Sequence, residues 1–180
     1  MILVLMGVSG VGKTTIGKLL SALTGWKFDD ADDYHSEENR QKMAAGIPLN
    51  DSDRAPWLRA LRECMLQHRQ SGQNAILACS ALKEEYRELL AKGFAQDEIR
   101  FVYLHAPVAL LEERVKSRKH PYMNAGLLDS QLATLEVPSG AWSVSVAGSP
   151  VEAAEEILAR LRKTGLVQER ENDDDSHLQT

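Results

Sequence analysis

Gly7-Val8-Ser9-Gly10-Val11-Gly12-Lys13-Thr14 lies between the apolar run Ile2 to Met6 and a helical pattern over Thr14 to Leu23, and its reading decides the fold. It fits the G-x-x-x-x-G-K-[ST] phosphate-loop pattern in the strand-to-helix context that the pattern requires. Glycines let the backbone curl until its N–H groups and the helix N-terminus face a β-phosphate. Lys13 then reaches the β- and γ-phosphates, and Thr14 offers its hydroxyl to Mg²⁺. A nucleoside triphosphate is the expected ligand. The expected nucleotide site is Gly7, Val8, Ser9, Gly10, Val11, Gly12, Lys13, Thr14 and the following Thr15.

Working outward, apolar runs alternate with helical patterns. Trp26 to Phe28, Ala75 to Cys79, Ile99 to His105 and Trp142 to Val146 read as strands. The spacing predicts helices over His35 to Ala45, Asp53 to Gln70 with Asp53 as cap, Lys83 to Ala91, Val108 to Ser117 and Val151 to Leu161. Strands alternating with helices of about ten residues call for a parallel sheet covered on both faces, with ligands beyond the strands' carboxyl ends. The expectation is therefore an α/β P-loop NTPase fold with a five-stranded parallel sheet. Residues 118–140, punctuated by Pro121, Gly126 and Pro138, break the rhythm and read as a flap with a short helix near Asp129 to Leu135. Residues 1–165 are expected to form one domain, and 166–180 an acidic disordered tail.

Composition narrows the partners. The chain has 180 residues, 43% of them hydrophobic, and a formal charge of −5. Most of that charge belongs to the tail, which holds Glu169, Glu171, Asp173, Asp174 and Asp175 against Arg170. A near-neutral body without a basic stripe argues against nucleic acid. No apolar stretch approaches the ~20 residues that span a bilayer. Met1 to Met6 has no basic flank and reads as a strand, not a leader. Cys64 and Cys79 suit buried thiols in a reducing, cytoplasmic setting.

Motifs that are missing narrow the chemistry. No strand ends in the Asp-Glu pair of ATPase motors, and the Asn-Lys-x-Asp guanine reader does not occur. Instead Asp29-Asp30-Ala31-Asp32-Asp33 follows the second strand. Period-2 alternation would aim Asp30 and Asp32 the same way, toward the γ-phosphate. One carboxylate can serve Mg²⁺ through water while the other takes the proton of an attacking hydroxyl, with Asp32 the candidate for the base and Asp30 for the metal. Lys83 and Arg87, at i,i+4 spacing, would share a helical face and suit an anionic substrate. Arg114 and Arg118 form a second such pair at the base of the flap, able to clamp phosphoryl oxygens. Arg54 lies in a polar, turn-rich stretch and is a candidate ligand for a substrate hydroxyl or carboxylate. His35 and Trp57 flank the same stretch.

These segments together resemble the gluconate kinase family, small P-loop kinases related in fold to shikimate and nucleoside-monophosphate kinases. The resemblance runs over about residues 2–163. It is carried by residues 6–10, Asp30-Ala31-Asp32 with His35, Asn39 to Met43, Cys79 to Lys83 with Tyr86-Arg87, and Ser130-Gln131 to Glu136. Its most specific part is Pro48-Leu49-Asn50-Asp51-Ser52-Asp53-Arg54-Ala55-Pro56-Trp57-Leu58. At the flap, His120-Pro121-Tyr122 departs from the family's Gly-His-Phe. The resemblance implies ATP-dependent phosphorylation of D-gluconate to 6-phosphogluconate by a cytoplasmic homodimer. It implies a substrate-side segment over about 35–60 and a lid over about 118–140. Lys13, Asp32 and Arg118 would be catalytic, Arg114 would join the nucleotide site, and Asp32, His35, Arg54, Lys83 and Arg87 would meet the substrate. The alternatives are a kinase for another small hydroxy acid such as shikimate, or a nucleotide-binding regulator without phosphotransfer.

Overall fold

The computed structural model describes residues 1–117 and 125–167. Five strands, β1 (Ile2–Met6), β2 (Lys27–Asp30), β3 (Ala75–Ala78), β4 (Ile99–His105) and β5 (Trp142–Ser145), form one sheet in the order β2-β3-β1-β4-β5. Every neighbouring pair is parallel. The helices are α1 (Lys13–Thr24), α2 (Glu37–Ala44), α3 (Asp51–Gln70), α4 (Glu84–Ala91), α5 (Val108–Ser117), α6 (Ala125–Thr134) and α7 (Pro150–Lys163).

β1 is central and wholly buried, and its alternation builds two cores at once. Leu3 and Leu5 face the layer that holds Ile16, Leu20, Leu111, Ile157 and Leu161. Ile2, Val4 and Met6 face the layer of Trp57, Leu58, Leu61, Met65 and Leu90. The two-faced parallel sheet expected from the strand and helix rhythm is thus the observed one.

The boundaries differ from expectation in instructive ways. β2 begins at Lys27 because the backbone of Trp26 is already engaged by the end of α1. Trp26 N donates to Thr24 Oγ1 at 3.1 Å, and Ser21 Oγ donates to Trp26 O at 2.7 Å. The helix expected from His35 is divided. A short 3₁₀ turn covers Ala31–Tyr34, and α2 starts at Glu37 with Ser36 accepting from Asn39 N. Asn50, not Asp53, caps α3. Asp53 stands at the third position and returns a bond to the Asn50 N–H, completing a capping box. The flap helix α6 begins at Ala125, four residues before its expected start. Arg118, His120, Pro121, Tyr122 and the tail from 168 lie outside the described residues.

α1 reaches the sheet through Gly17, which is buried. A Cβ there would run into the Phe28 ring and stand 3.4 Å from Leu5 Cδ1. Gly17→Val should therefore lower stability by roughly 1–3 kcal/mol, the usual cost of overpacking. A chemical-denaturation midpoint lower than wild type by that amount checks it.

Candidate active site

The loop after β1 has the backbone its sequence demands. Gly7 has φ 138°, and a Cβ there would stand 2.5 Å from Leu104 O. Gly12 is the left-handed cap of α1, and no side chain caps that helix. The N-terminus of this helix is the end that favours an anion. Val8 and Val11 are buried in the core and anchor the loop from below. The Lys13 ammonium donates to Gly7 O at 2.9 Å and Val8 O at 3.2 Å, lying across the loop it belongs to.

Thr14 and Asp30 meet directly, with the hydroxyl donating to Asp30 Oδ2 at 2.7 Å. Two hard oxygen donors side by side at the end of β2 fit a Mg²⁺ ion. The other Asp30 oxygen accepts from Asp32 N at 3.2 Å. This corrects the alternation argument: the strand stops at Asp30, and Asp32 belongs to the 3₁₀ turn. Asp32 still reaches the same cavity, because that turn is pinned from below. Trp57 Nε1 donates to Ala31 O at 2.7 Å, and Tyr34 Oη lies 2.9 Å from Asp29 Oδ1.

Ser9, Lys13, Thr14, Thr15, Asp30, Asp32, His35 and Arg54 all line one cavity of about 820 Å³. Its far wall adds Arg40, Met43, Pro48, Leu49 and Trp57, and α6 roofs it with Leu127, Ser130, Gln131 and Thr134. The substrate-side wall is braced between helices: Asn39 Nδ2 donates to Asp53 O at 2.8 Å, and Lys42 pairs with Asp53 at 2.6 Å. Arg54 Nη1 donates to Tyr86 Oη at 3.2 Å. Arg40 Nη2 donates to Asp33 O at 2.8 Å.

His35 stacks on Trp57 with centroids 4.5 Å apart and planes 8° from parallel. Its Nδ1 is buried and has no hydrogen-bond partner among the described residues. Burial first, then the nearby charges of Arg40 and Arg54, lower its pKa from 6.5 to about 4. The ring is neutral at physiological pH and offers a hydrogen bond, not a charge.

Three of the expected site residues are placed elsewhere. Lys83 and Arg87 do not share a face, because Lys83 is the cap residue of α4 with extended backbone, outside the helix. Lys83 is held by Asp51 at 2.9 Å and Glu85 at 3.2 Å, which keep its ammonium above the ordinary range. Arg87 is buried under the loop after β3 and donates to Ala81 O and Leu82 O, both at 3.0 Å. It supports a stretch that lines the cavity through Ser80 and Leu82 but does not line it itself. Arg114 donates to Val146 O at 2.8 Å, at the β5–α7 connection, and does not line the cavity.

Arg40 and Gln131 line the cavity, although the sequence named their stretches only for the resemblance and gave neither a site role. Arg40 sits inside the resembling stretch 39–43, and its one available signal was a position one turn into a polar helix. Gln131 Oε1 accepts from Ser9 N at 2.6 Å, joining the lid to the phosphate loop. A contact across 122 residues leaves no local trace.

Residues 9–137 match the shikimate kinase family model. A Xenopus tropicalis protein called "probable gluconokinase" is 47% identical over 152 residues, covering 77% of this chain and 80% of its own length. The chain belongs to the gluconokinase family. The Gluconobacter oxydans gluconokinase is 45% identical over 136 residues, 76% of this chain and 75% of its own length. The crystal structure of a gluconokinase from Sinorhizobium meliloti 1021 superposes with a TM-score of 0.79 at 39% identity, covering 90% of this chain and 91% of that one. Family membership brings the P-loop nucleotide-binding kinase fold with it. Among the described residues, no helix is long and apolar enough to cross a membrane.

The depressed pKa of His35 has a thermodynamic consequence. As pH falls below 6.5, an unfolded chain protonates this ring first, and the folded chain follows only near 4. Stability present above pH 6.5 is lost across that window, by up to about 3 kcal/mol from this group. Urea unfolding at pH 7 and pH 4.5 should show a larger loss for wild type than for His35→Gln.

Proposed function

We propose that the chain transfers the γ-phosphoryl group of ATP to the terminal hydroxyl of D-gluconate, giving 6-phospho-D-gluconate. The observation that carries this reading is the single cavity, which has phosphate-loop amides, Thr14, Asp30 and Asp32 at one end and Arg40, Arg54 and neutral His35 at the other. The names of the relatives supply the acceptor.

In this reading the loop N–H groups and Lys13 hold the triphosphate, and Lys13 offsets charge that builds on the phosphoryl oxygens. Mg²⁺ would sit on Thr14 and Asp30 and neutralise the β- and γ-oxygens. Asp32 accepts the proton of the attacking hydroxyl. The acceptor is a monoanion carrying a row of hydroxyls. Arg40 and Arg54 supply its countercharge, while His35 and Asp33 supply hydrogen-bonding groups along its length. This moves the carboxylate from Lys83, which Asp51 and Glu85 hold, and Arg87, which is buried beneath the loop after β3, to the two arginines that line the cavity. Arg118 remains a proposal for the closed lid, where it would join the transferring group. Arg114 keeps a place in the reading as a support beneath the nucleotide end. A cytoplasmic homodimer belongs to the same proposal, and light scattering checks the dimer.

A coupled ADP-release assay with gluconate, shikimate, glucose and sorbitol tests the acceptor. Strong turnover with gluconate alone is expected; turnover with shikimate alone, or with no acid, rejects the reading. Asp32→Asn should lower kcat by about 10²–10⁴-fold with ATP binding preserved.

Arg40→Ala and Arg54→Ala should each raise the KM for gluconate by roughly 10- to 100-fold, the worth of a lost hydrogen bond to a charged group. Lys83→Ala should leave that KM within about threefold of wild type. Initial-rate kinetics on the three variants distinguishes the arrangements.

A further inference from the structure

β2 carries two carboxylates on opposite faces. Asp30 turns to the phosphate loop, so Asp29 turns the other way, toward α3. On α3, Cys64 and His68 stand at i,i+4 and present the same side of the helix. The two patterns converge: one Asp29 oxygen, Cys64 Sγ and one His68 ring nitrogen lie within 4.8 Å of one another. His68 Nε2 stands 2.8 Å from Asp29 Oδ2, and the side chains are 18% and 22% exposed. Tyr34 Oη lies 3.0 Å from Cys64 Sγ and 2.9 Å from the second Asp29 oxygen.

The ring of His68 has an oxygen at each nitrogen. Asp29 Oδ2 faces Nε2, and Gln73 Oε1 faces Nδ1 at 3.2 Å. A neutral imidazole has one N–H and satisfies one of these acceptors. If Nδ1–H donates to Gln73, the Nε2 lone pair stands beside the carboxylate, and both can turn to ligate one shared cation. An outer N–H held by an amide or carbonyl oxygen is also how metal-binding histidines are oriented.

We propose that Asp29, Cys64 and His68 form a three-ligand site for a borderline-soft divalent cation of the zinc class, with a fourth position left to water. One thiolate, one imidazole and one carboxylate suit zinc and do not suit magnesium, so the site is chemically distinct from Thr14 and Asp30. Zinc bonds of 2.0–2.3 Å in a tetrahedron set donors about 3.3–3.8 Å apart, within reach of small side-chain adjustments here. Cys64 binds as thiolate, and its proton passes to the buffer. The partly exposed side chains of His68 and Asp29 give access from solvent. A bound ion would tie β2, the 3₁₀ turn bearing Asp32 and α3 into one unit.

The test is equilibrium dialysis of the full chain against Zn²⁺ in excess Mg²⁺, with Co²⁺ substitution followed in the near ultraviolet. Wild type should bind one equivalent of Zn²⁺ at micromolar concentration, show a thiolate-to-cobalt charge-transfer band, and gain Tm with Zn²⁺. Cys64→Ser should lose the band, His68→Ala the stoichiometric binding, and Gln73→Leu should bind roughly 10- to 100-fold more weakly. Absence of a micromolar equivalent in wild type, or a cobalt spectrum that Cys64→Ser leaves unchanged, overturns the proposal. The wild-type spectrum decides the matter even if a variant fails to fold.

Discussion

A loop that must turn its N–H groups inward leaves its carbonyls facing the other way, and something has to hold them. In this chain the Lys13 ammonium binds the Gly7 and Val8 carbonyls, while Val8 and Val11 sink into the core beneath. The cation proposed to balance phosphate charge thus also shapes the cradle. The neighbours of β1 are arranged around that requirement: Gly7 N donates to Ser80 O after β3, and the close approach to Leu104 in β4 leaves no room for a side chain. The flanking strand β3 delivers a wall of the cavity through Ser80 and Leu82, which follow it beside the cradle.

The second constraint is the acidic corner after β2. One carboxylate, Asp30, accepts from both the Thr14 hydroxyl and the Asp32 amide, so the proposed metal side and base side of the reaction share a single anchor. The turn carrying Asp32 hangs on Trp57, whose indole nitrogen reaches the Ala31 carbonyl and whose face carries His35. The family-specific stretch around residues 48–58 therefore does more than line the cavity. It supports the corner on which proton transfer would depend.

Periodicity and the phosphate-loop pattern made the sheet, its helices and the nucleotide end legible, because those features repeat along the chain or sit within eight residues. The rest depended on contacts that spacing does not encode. Lys83 and Arg87 look equivalent at i,i+4, yet one is the cap residue of α4 and the other is buried beneath a loop. Only the position of the helix start and the carbonyls of Ala81 and Leu82 distinguish them. Asp32 reached the cavity for a different reason from alternation, through a 3₁₀ turn that Asp30 itself caps. Arg40 was hidden in a helix with almost no apolar face, where a cavity-lining arginine and a solvated one read alike.

The central place of β1 also divides the molecule by how readily its parts open. To free Ile2–Met6, the sheet must lose hydrogen bonds on both sides of a strand with no exposed residue, which amounts to opening the whole domain. Helix α2, by contrast, buries no apolar side chain and is held by polar contacts such as Asn39 to Asp53. Amide protons in the strand under the cradle would therefore exchange with solvent only as fast as the chain unfolds, while those of α2 would exchange through local excursions that leave the cradle intact. The phosphate seat is thus built on the part of the molecule that opens last.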